Sequence, residues 1–591
     1  MKTPSTLGGI VRRLISKHDF SQGSIDFLND KGFKRDEYRT LCDFINRRDE
    51  TFAEWAGKKD RFEKLVEGGA AINITDGRYR RYTEEFLHIS SEQATVRERV
   101  RFGVEYVISL ADLLGNHPDN DKKLVKKPFS KRDQQKLRSI YENFTTKDYA
   151  IIRLIERKTN HDIVAANTWL TIRAQQLELD ENLMRGIVHY ARTSADVDTN
   201  VSGYLYTKAI GVWAKSISKL ISKLEEKAIA YKHVTCMART HGQDAQLTTL
   251  GHIYANLADQ ITQQAAPLLG RKQLHIDGKI AGAIGTDVDM RGSYAHIHPK
   301  KMYKDLVEKQ FGLNYVELGL DQDCSNASLN ITLDTMVNVG NVVLKAAQDT
   351  WLYASRQVVA KLTQEGESGS SVMAQKTNPF LAEGCEALVE IMQGMVTPIK
   401  KLITAYREQG DLRRSVTKRE GFHPIQLSVI AVERLISELD KYEPHIPGLE
   451  GEIYESGIKA ASSLVSTYLK RKGVPDAYDQ IKRVVMKPKV SSSAVLQLLH
   501  QLQEAKRITG EDSRYISRTL LGVVDRENHL KAFLESESPS NLEIFYEKLR
   551  GVNSDTRARK ALLGDAVVNS SRMVSRIPKT QELLARYVAS N

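Results

Sequence analysis

The spacing of proline is the feature that most limits how this chain can fold. Proline breaks or kinks a helix when it lies in the helix interior, because it lacks the backbone donor and its ring clashes with the preceding turn. None of the 14 prolines falls between Pro128 and Pro267, or between Pro299 and Pro379. Both stretches are therefore long enough for uninterrupted helices of many turns.

Apolar residues recur at helical spacing inside both stretches. Steps of three and four residues place apolar side chains on one helix face, which must then be buried. Similar patterns run through residues 204–229 and 250–269, whereas alternating, strand-like runs are scarce. We predict an all-α fold with a central long-helix bundle. In the second stretch the apolar positions are Met336, Val339, Val343, Ala346, Ala347, Trp351 and Leu352.

Composition excludes several classes of protein. The net charge of +12 is spread along the chain, which argues against a nucleic-acid-binding surface. The four cysteines are widely separated, so we expect a reducing, cytoplasmic location without a disulfide framework or zinc site. The chain contains no run of about 18 apolar residues, so no membrane-spanning helix is predicted. The first 18 residues are basic and lack acids; a surface helix is favoured there over a transit peptide.

Residues 122–138 contain eight Lys or Arg and only one acid, Asp133, and a solvated loop is favoured there over a phosphate-binding patch.

Five segments are predicted along the chain. The predicted segments are a helical extension (1–70), an amino-terminal domain (71–180), the long-helix bundle (181–430), a carboxy-terminal helical domain (431–525) and a second helical extension (526–591).

A loop rich in glycine and serine, residues 366–379, follows the second long apolar stretch. Glycines permit unusual backbone conformations, and serine hydroxyls with neighbouring N–H groups form a cradle for anions. Lys376 would supply a counter-charge and Asn378 a neutral donor. The alternative is a flexible linker whose following helix is capped by Asn378.

Three polar segments carry candidate catalytic or binding side chains. His241 lies beside Gly242 and is suited to proton transfer near neutral pH, although a surface histidine in the turn before a helix fits equally well. Histidine and carboxylate adjoin in Asn160-His161-Asp162, and hydroxyls adjoin in Thr193-Ser194. Helix capping is the alternative explanation for both of these segments.

The order of these motifs resembles the fumarase/aspartase superfamily, and most of all its adenylosuccinate lyase family of the longer bacterial type. The resemblance covers roughly residues 71–525 and rests on several independent motifs. These are residues 76–79 (DGRY), 155–162 (IERKTNHD), 238–243 (ARTHGQ), 282–285 (GAIG) and 369–379 (GSSVMAQKTNP), the last being similar to the signature loop of the superfamily.

The resemblance implies a homotetramer with shared active sites that breaks a carbon–nitrogen bond in a succinyl-purine nucleotide and releases fumarate, without metal or cofactor. It implies that Ser370 is the base and that His241 protonates the leaving nitrogen. Ser415 and Arg419 keep the spacing of the family's phosphate-side pair, although an exposed surface arginine is the alternative. The other implied substrate contacts are Arg78, Tyr79, Asn160, His161, Asp162, Thr193, Ser194, Thr240, Gln322, Lys376 and Asn378.

Several positions depart from the family pattern. Prolines of the family are replaced by Asp244 and Ala374, and an arginine is replaced by Gly410. Residues 286–288 and 323–327 also differ, and the second segment loses a histidine and an aspartate. These changes leave two alternatives to an adenylosuccinate-cleaving enzyme: a lyase acting on another succinyl or amino-acid adduct, and a non-catalytic scaffold.

Overall fold

The computed structural model describes residues 71–269, 276–317, 321–362, 372–373, 375–486 and 492–517. The predicted extensions at 1–70 and 526–591 lie outside the described residues, and the predicted segment boundaries remain predictions. The prediction of a mainly helical fold is confirmed. No helix in the described ranges is both long and apolar enough to cross a membrane.

Short and medium helices form the amino-terminal part. Ser91 starts the longest of them by accepting the amide N–H of Ala94, and a capping box of Thr145 with Asp148 starts another. The helices are α1 (Arg80–Thr83), α2 (Glu92–Asn116), α3 (Lys131–Glu142), α4 (Thr146–Thr159), α5 (Asp162–Gln176) and α6 (Glu181–Ile187), with a 3₁₀ turn at Glu84–His88.

Five long helices form the central bundle. They pack as a closed ring in which α7 contacts α8 and α14, α11 contacts α8 and α12, and α12 contacts α14. The long helices are α7 (Ser194–Ala230), α8 (Leu250–Leu269), α11 (Ala327–Ser355), α12 (Phe380–Thr404) and α14 (Phe422–Asp440).

Helices α7 and α14 run in parallel. Near the middle of the pair, Trp213 Nε1 donates to Ser428 Oγ at 3.0 Å. Near their carboxy-terminal ends, Lys227 Nζ in the last turn of α7 donates to the carbonyl of Tyr442, just after α14, at 3.0 Å. Because the ends of these two helices coincide, the bundle has two distinct ends where loops and short elements gather.

Shorter elements occupy the two ends of the bundle. Strands β1 and β2 form an antiparallel hairpin, β3 pairs with β4 in parallel, and β5 pairs with β6 antiparallel. These elements are β1 (Thr235–Thr240), β2 (Gln243–Thr249), β3 (Asp277–Gly278), α9 (Val288–Ser293), α10 (Lys300–Asp305), a π-helical turn (Leu306–Gln310), β4 (Asn314–Tyr315), β5 (Val359–Lys361), α13 (Arg413–Glu420) and β6 (Tyr442–Pro444).

A second, smaller core lies beyond the bundle. Met237 and Leu247 of the hairpin are buried against apolar residues of the carboxy-terminal helices. Those helices are α15 (Ile446–Ser456), α16 (Ile458–Arg471), α17 (Ala477–Val485), α18 (Ser492–Glu504) and α19 (Gly510–Tyr515).

Three details differ from the sequence-based expectations. The apolar face of α11 is buried from Met336 to Ala347, but Trp351 and Leu352 are 39% and 47% exposed. Pro267 and Pro398 lie inside helices, each within the last two turns, where a kink disturbs little of the helix. The predicted loop at 122–138 is wrong in its second half, because α3 begins there after the Ser130 cap.

Candidate active site

The predicted site residues divide between the two ends of the bundle. The end where α7 begins, here named the Asp323 end, carries His161, Asp162, Ser194, Gln322, Ser415 and Arg419. The opposite end, here named the hairpin end, carries His241. Helix α7 separates them by its 37 residues, or about 55 Å at ~1.5 Å per residue.

His161 lies at the junction between α4 and α5. Asn160 ends α4 in the left-handed conformation, with φ 51°, and His161 is the N-cap residue of α5 without forming a side-chain cap. The imidazole is partly exposed, and its Nε2 lies 3.5 Å from Ser194 Oγ. Two predicted segments that are distant in sequence therefore meet here.

Asp162 connects the amino-terminal helices to α13. Its Oδ2 accepts from Arg99 Nη1 at 2.9 Å and from Arg419 Nη2 at 2.7 Å. Burial alone would raise the pKa of Asp162, but Arg99, the Ile163 amide and Arg419 outweigh it and hold the pKa below its ordinary value. The carboxylate is therefore charged at neutral pH and already bonded to the arginine predicted to bind phosphate.

Thr193 and Asp196 form a capping box at the start of α7, as the capping interpretation expects. Asp196 does more than cap the helix, because its carboxylate lies 3.2 Å from Lys279 Nζ and both side chains are fully buried. Its two oxygens also accept the amide N–H groups of Ala281 and Gly282, each at 3.1 Å. The Thr193 segment is thereby fixed to the GAIG loop.

Asp323 is the centre of a buried ionic cluster at the same end. Its carboxylate accepts from Lys418 Nζ at 2.6 Å and from the Thr199 hydroxyl, and Arg414 Nη1 lies 3.5 Å away. Burial alone would raise the pKa of Asp323, but Lys418, Thr199 and Arg414 lower it to about 2. Asp323 lies in segment 323–327, which departs from the family pattern. The negative charge of that segment is therefore neutralised by cations of the same chain.

Gln322 and Gly410 adjoin this cluster. The carbonyl of Gln322 accepts from Lys279 Nζ at 2.6 Å, and its amide donates to the Gln409 carbonyl at 2.9 Å. A Cβ added to Gly410 would lie 2.6 Å from Arg414 Nη2 and 2.9 Å from Gln322 Oε1. The missing side chain thus leaves the space in which Arg414 approaches Gln322.

Ser415 and Arg419 line one cavity of about 180 Å³ at the Asp323 end. The same cavity is lined by two further cations, Arg99 and Lys418, and by the hydroxyls of Ser90 and Ser202. Its acids are Glu92, Asp198 and Glu420. Cations and hydroxyl donors facing one small cavity are suited to binding an anionic group.

Arg78 and Tyr79 lie outside this cavity within one chain. Arg78 is exposed, whereas the Tyr79 ring packs against Arg434, whose Cζ lies 5.4 Å from the ring centre. Arg434 also donates to the Phe380 carbonyl at 2.9 Å. Tyr79 is therefore held beside the segment that follows the signature loop, and its contact with substrate stays a prediction.

His241 occupies the tip of the hairpin, not a turn leading directly into a helix. His241 and Gly242 form a two-residue turn with φ values of 55° and 73°, which suits the twist of the flanking strands. Glycine adopts positive φ readily, and histidine does so more often than most residues. Thr240 and His241 are both exposed, so they face away from the core of their own chain.

The described part of the signature loop also lies at the hairpin end. Lys376 is exposed and Asn378 is half-buried, with the Asn378 carbonyl accepting from Lys361 Nζ at 2.9 Å. Pro379, not Asn378, is the N-cap residue of α12, and it forms no side-chain cap, so capping by Asn378 is not observed. The predicted base Ser370 and the departing residue Ala374 lie outside the described residues.

Sequence reasoning did not single out several charged or strained residues of the Asp323 end. Arg99, Lys279, Lys418 and Asp323 form the ion pairs described above, and the only sequence signals are the proximity of Lys418 to Arg419 and the altered 323–327 segment. His189 has φ 65°. Burial, Arg192 and His161 lower its pKa to about 4. In the described ranges, no three His, Cys, Asp or Glu residues are grouped to hold a metal ion.

Comparisons with known proteins show that the chain is similar to lyases. A family model described as "Lyase" matches residues 77–394. An adenylosuccinate lyase from Haemophilus influenzae is 27% identical over 445 residues, covering 73% of this chain and 92% of that protein. An adenylosuccinate lyase from Escherichia coli K12 is 24% identical over 469 residues, covering 76% and 97%.

Solved structures share the fold. A fumarate lyase from Mesorhizobium sp. BNC1 superposes with a TM-score of 0.60 at 14% identity, covering 84% of this chain and 97% of that one. A 3-carboxy-cis,cis-muconate lactonizing enzyme from Pseudomonas putida superposes with a TM-score of 0.61 at 16% identity, covering 85% and 97%. At these identities the likeness shows the fold alone.

Proposed function

The chain belongs to the fumarase/aspartase superfamily of lyases, and from that premise we propose that it cleaves adenylosuccinate to AMP and fumarate. We extend the proposal to the succinyl-carboxamide ribotide of purine synthesis, which carries the same succinyl group. The observation that carries the proposal is the cavity at the Asp323 end, where Ser415, Arg419 and two further cations converge. Such a cavity suits the phosphate of a nucleotide.

The proposed chemistry is an elimination. Ser370, as an alkoxide, removes a proton from the succinyl carbon next to the one that bears nitrogen, and the electron pair forms the new C=C bond as the C–N bond breaks. His241 donates a proton to the leaving nitrogen, so fumarate and the free amine result. Lys376 and Asn378 stabilise the negative charge that builds up on the neighbouring carboxylate before the bond breaks.

The proposed active site is shared between subunits. His161 and His241 belong to opposite ends of a bundle about 55 Å long, so one chain alone does not bring them together. Four large apolar side chains on α11 and α12 are substantially exposed: Trp351, Leu352, Phe380 and Ile391. Burying such side chains against further copies is favourable. We therefore propose a homotetramer in which each site takes residues from different chains.

A second candidate function keeps the elimination but changes the substrate. Arg419 is already paired with Asp162, and this carboxylate would compete with a substrate phosphate. That contact favours a succinyl or amino-acid adduct without phosphate as the alternative. The non-catalytic scaffold is less well supported, because Lys376, Asn378 and His241 retain the residue types of the family motifs.

A fumarate assay on the purified full chain separates these functions. Ultraviolet absorbance is followed with adenylosuccinate, with the succinyl-carboxamide ribotide and with a succinyl amino acid that lacks phosphate. Turnover of the two nucleotides supports the proposal, whereas turnover of the amino-acid adduct alone supports the second candidate. Absence of fumarate with all three, from a folded protein, would contradict both lyase functions.

A further inference from the structure

The tip of the hairpin at the hairpin end is separated from the rest of its strands. Regular pairing runs from Thr235 opposite Thr249 to Met237 opposite Leu247, and then the register shifts. Two residues of β2 face one residue of β1 at this point, which is the pattern of a β-bulge. Beyond the bulge only two pairs remain before the turn that carries His241.

Asp244 holds the tip on both of its sides. It is directly opposite Arg239, and Arg239 Nε donates to Asp244 Oδ1 at 2.8 Å. The other carboxylate oxygen of Asp244 accepts from the hydroxyl of Ser456, a buried residue at the end of α15. The same carboxylate therefore links the two strands to each other and the hairpin to a helix.

Arg239 extends these contacts toward the bundle. Its Nη2 lies 3.3 Å from Glu452 Oε1, and the same oxygen lies 3.3 Å from Arg356 Nε just after α11. The Glu452 side chain is only 9% exposed, so this part of the network is shielded from solvent. The hairpin tip is thus connected to α15 and to the end of α11 through fixed side chains.

We propose that Asp244 is a positioning residue that fixes the hairpin tip so that His241 points in one direction toward the reacting nitrogen. The inference rests on the proposed function of His241. An ion pair whose side chains are 32% and 33% exposed contributes little to stability by itself, so the role of Asp244 is geometric. The turn has two residues at positive φ, a conformation that persists when its surroundings determine it. The adenylosuccinate lyase family carries a proline at this position, and Asp244 would restrict the hairpin tip in its place.

Substitution of Asp244 tests the proposal in the full-length protein. Asp244→Ala should lower kcat about tenfold or more while KM changes less, because misplacing a catalytic group affects the reacting geometry. Asp244→Pro should restore most of kcat, and Asp244→Asn should fall between, since its amide keeps a hydrogen bond. Asp305→Ala is the matched control, because it removes an exposed ion pair with Lys309 far from the hairpin.

Hydrogen exchange separates this proposal from the proposed function. Asp244→Ala should speed amide exchange in residues 235–249 at an unchanged thermal midpoint, and Asp305→Ala should not. If the wild type releases no fumarate, the proposed function is contradicted. The hydrogen-exchange data still decide whether Asp244 fixes the hairpin. Unchanged exchange and kcat in Asp244→Ala would overturn the inference, as would equal loss of kcat in the alanine, asparagine and proline variants.

Discussion

The two ends of the bundle are built differently. At the Asp323 end, charged side chains are buried and paired within one chain: Asp196 with Lys279 and Asp323 with Lys418. At the hairpin end, His241 and Lys376 are exposed. One end is therefore arranged before any partner or substrate arrives, whereas the other presents its candidate catalytic groups outward.

This difference in burial bears on which end binds substrate and which end carries the catalytic groups. Buried ion pairs that are already formed hold the walls of the cavity in place, because the cost of orienting them is met during folding. Exposed groups on a hairpin and a loop gain a low-dielectric environment only when another surface covers them. We infer that the Asp323 end holds substrate and that the hairpin end completes the site on assembly.

The largest effect is expected at the signature loop. Ser370→Ala should lower kcat by at least ~1000-fold, about 4 kcal/mol in activation free energy, while substrate still binds. Steady-state kinetics and equilibrium binding measure the two quantities. Ser371→Ala is the neighbouring control and should be milder. A nearly normal Ser370→Ala with an inactive Ser371→Ala would move the base to the second serine.

The next effect concerns folding at the Asp323 end. Lys418→Met should lower the free energy of unfolding by about 3 kcal/mol, because it leaves the buried Asp323 carboxylate without its closest cation. Lys219→Met is the control, since Lys219 pairs with Glu433 while 63% exposed and should change stability by less than ~1 kcal/mol. Denaturant unfolding measures both. Equal losses in the two variants would remove the distinction drawn for the Asp323 end.

Mixing two inactive variants tests whether one active site takes its catalytic groups from different chains. Ser370→Ala and His241→Ala should each be inactive alone, and subunit exchange should raise activity on the order of a hundredfold above either parent, because hybrid sites regain both groups. Exchange is verified with two differently tagged chains. No recovery after verified exchange would refute a shared site in which Ser370 and His241 come from different chains.

The fold was predictable to the extent that it depends on local pattern. Proline-free stretches and three-to-four spacing predict α7 and α11, because helical periodicity is written in neighbouring residues. The hairpin was not predicted, since β1 and β2 lack clear alternation and Ala238 faces a bulge. Its turn depends on two positive φ values that sequence alone did not reveal.

The site was predictable only residue by residue. Motifs identified His161, Ser194 and Arg419, and the structure brings their segments to one end of the bundle. The pairing of Asp323 with Lys418 is a tertiary contact between segments far apart in sequence, and no local pattern indicates it. The negative charge gained at Asp244 is paired with Arg239 across the hairpin, a contact that the family motifs do not indicate.

The smallest expected effect concerns the phosphate preference of the Asp323 end. Arg419 lies one helical turn after Ser415 on α13, so its guanidinium and the serine hydroxyl reach the same cavity. A phosphate with two negative charges should displace the Asp162 carboxylate from Arg419, while Arg99 continues to neutralise Asp162.

Comparing a phosphorylated substrate with its dephospho analogue tests this exchange of partners. Wild type should prefer the phosphate in kcat/KM, and Arg419→Ala should lose roughly tenfold to a hundredfold of that preference, the value of a charge-assisted hydrogen bond. Arg413→Ala is the control, because Arg413 is bonded to Asp411 and does not line the cavity. The same preference in wild type and Arg419→Ala would remove the phosphate role and favour a substrate without phosphate. The Asp323 end would then still bind substrate, but the Asp162–Arg419 ion pair would only connect α5 to α13, and substrate would not break it.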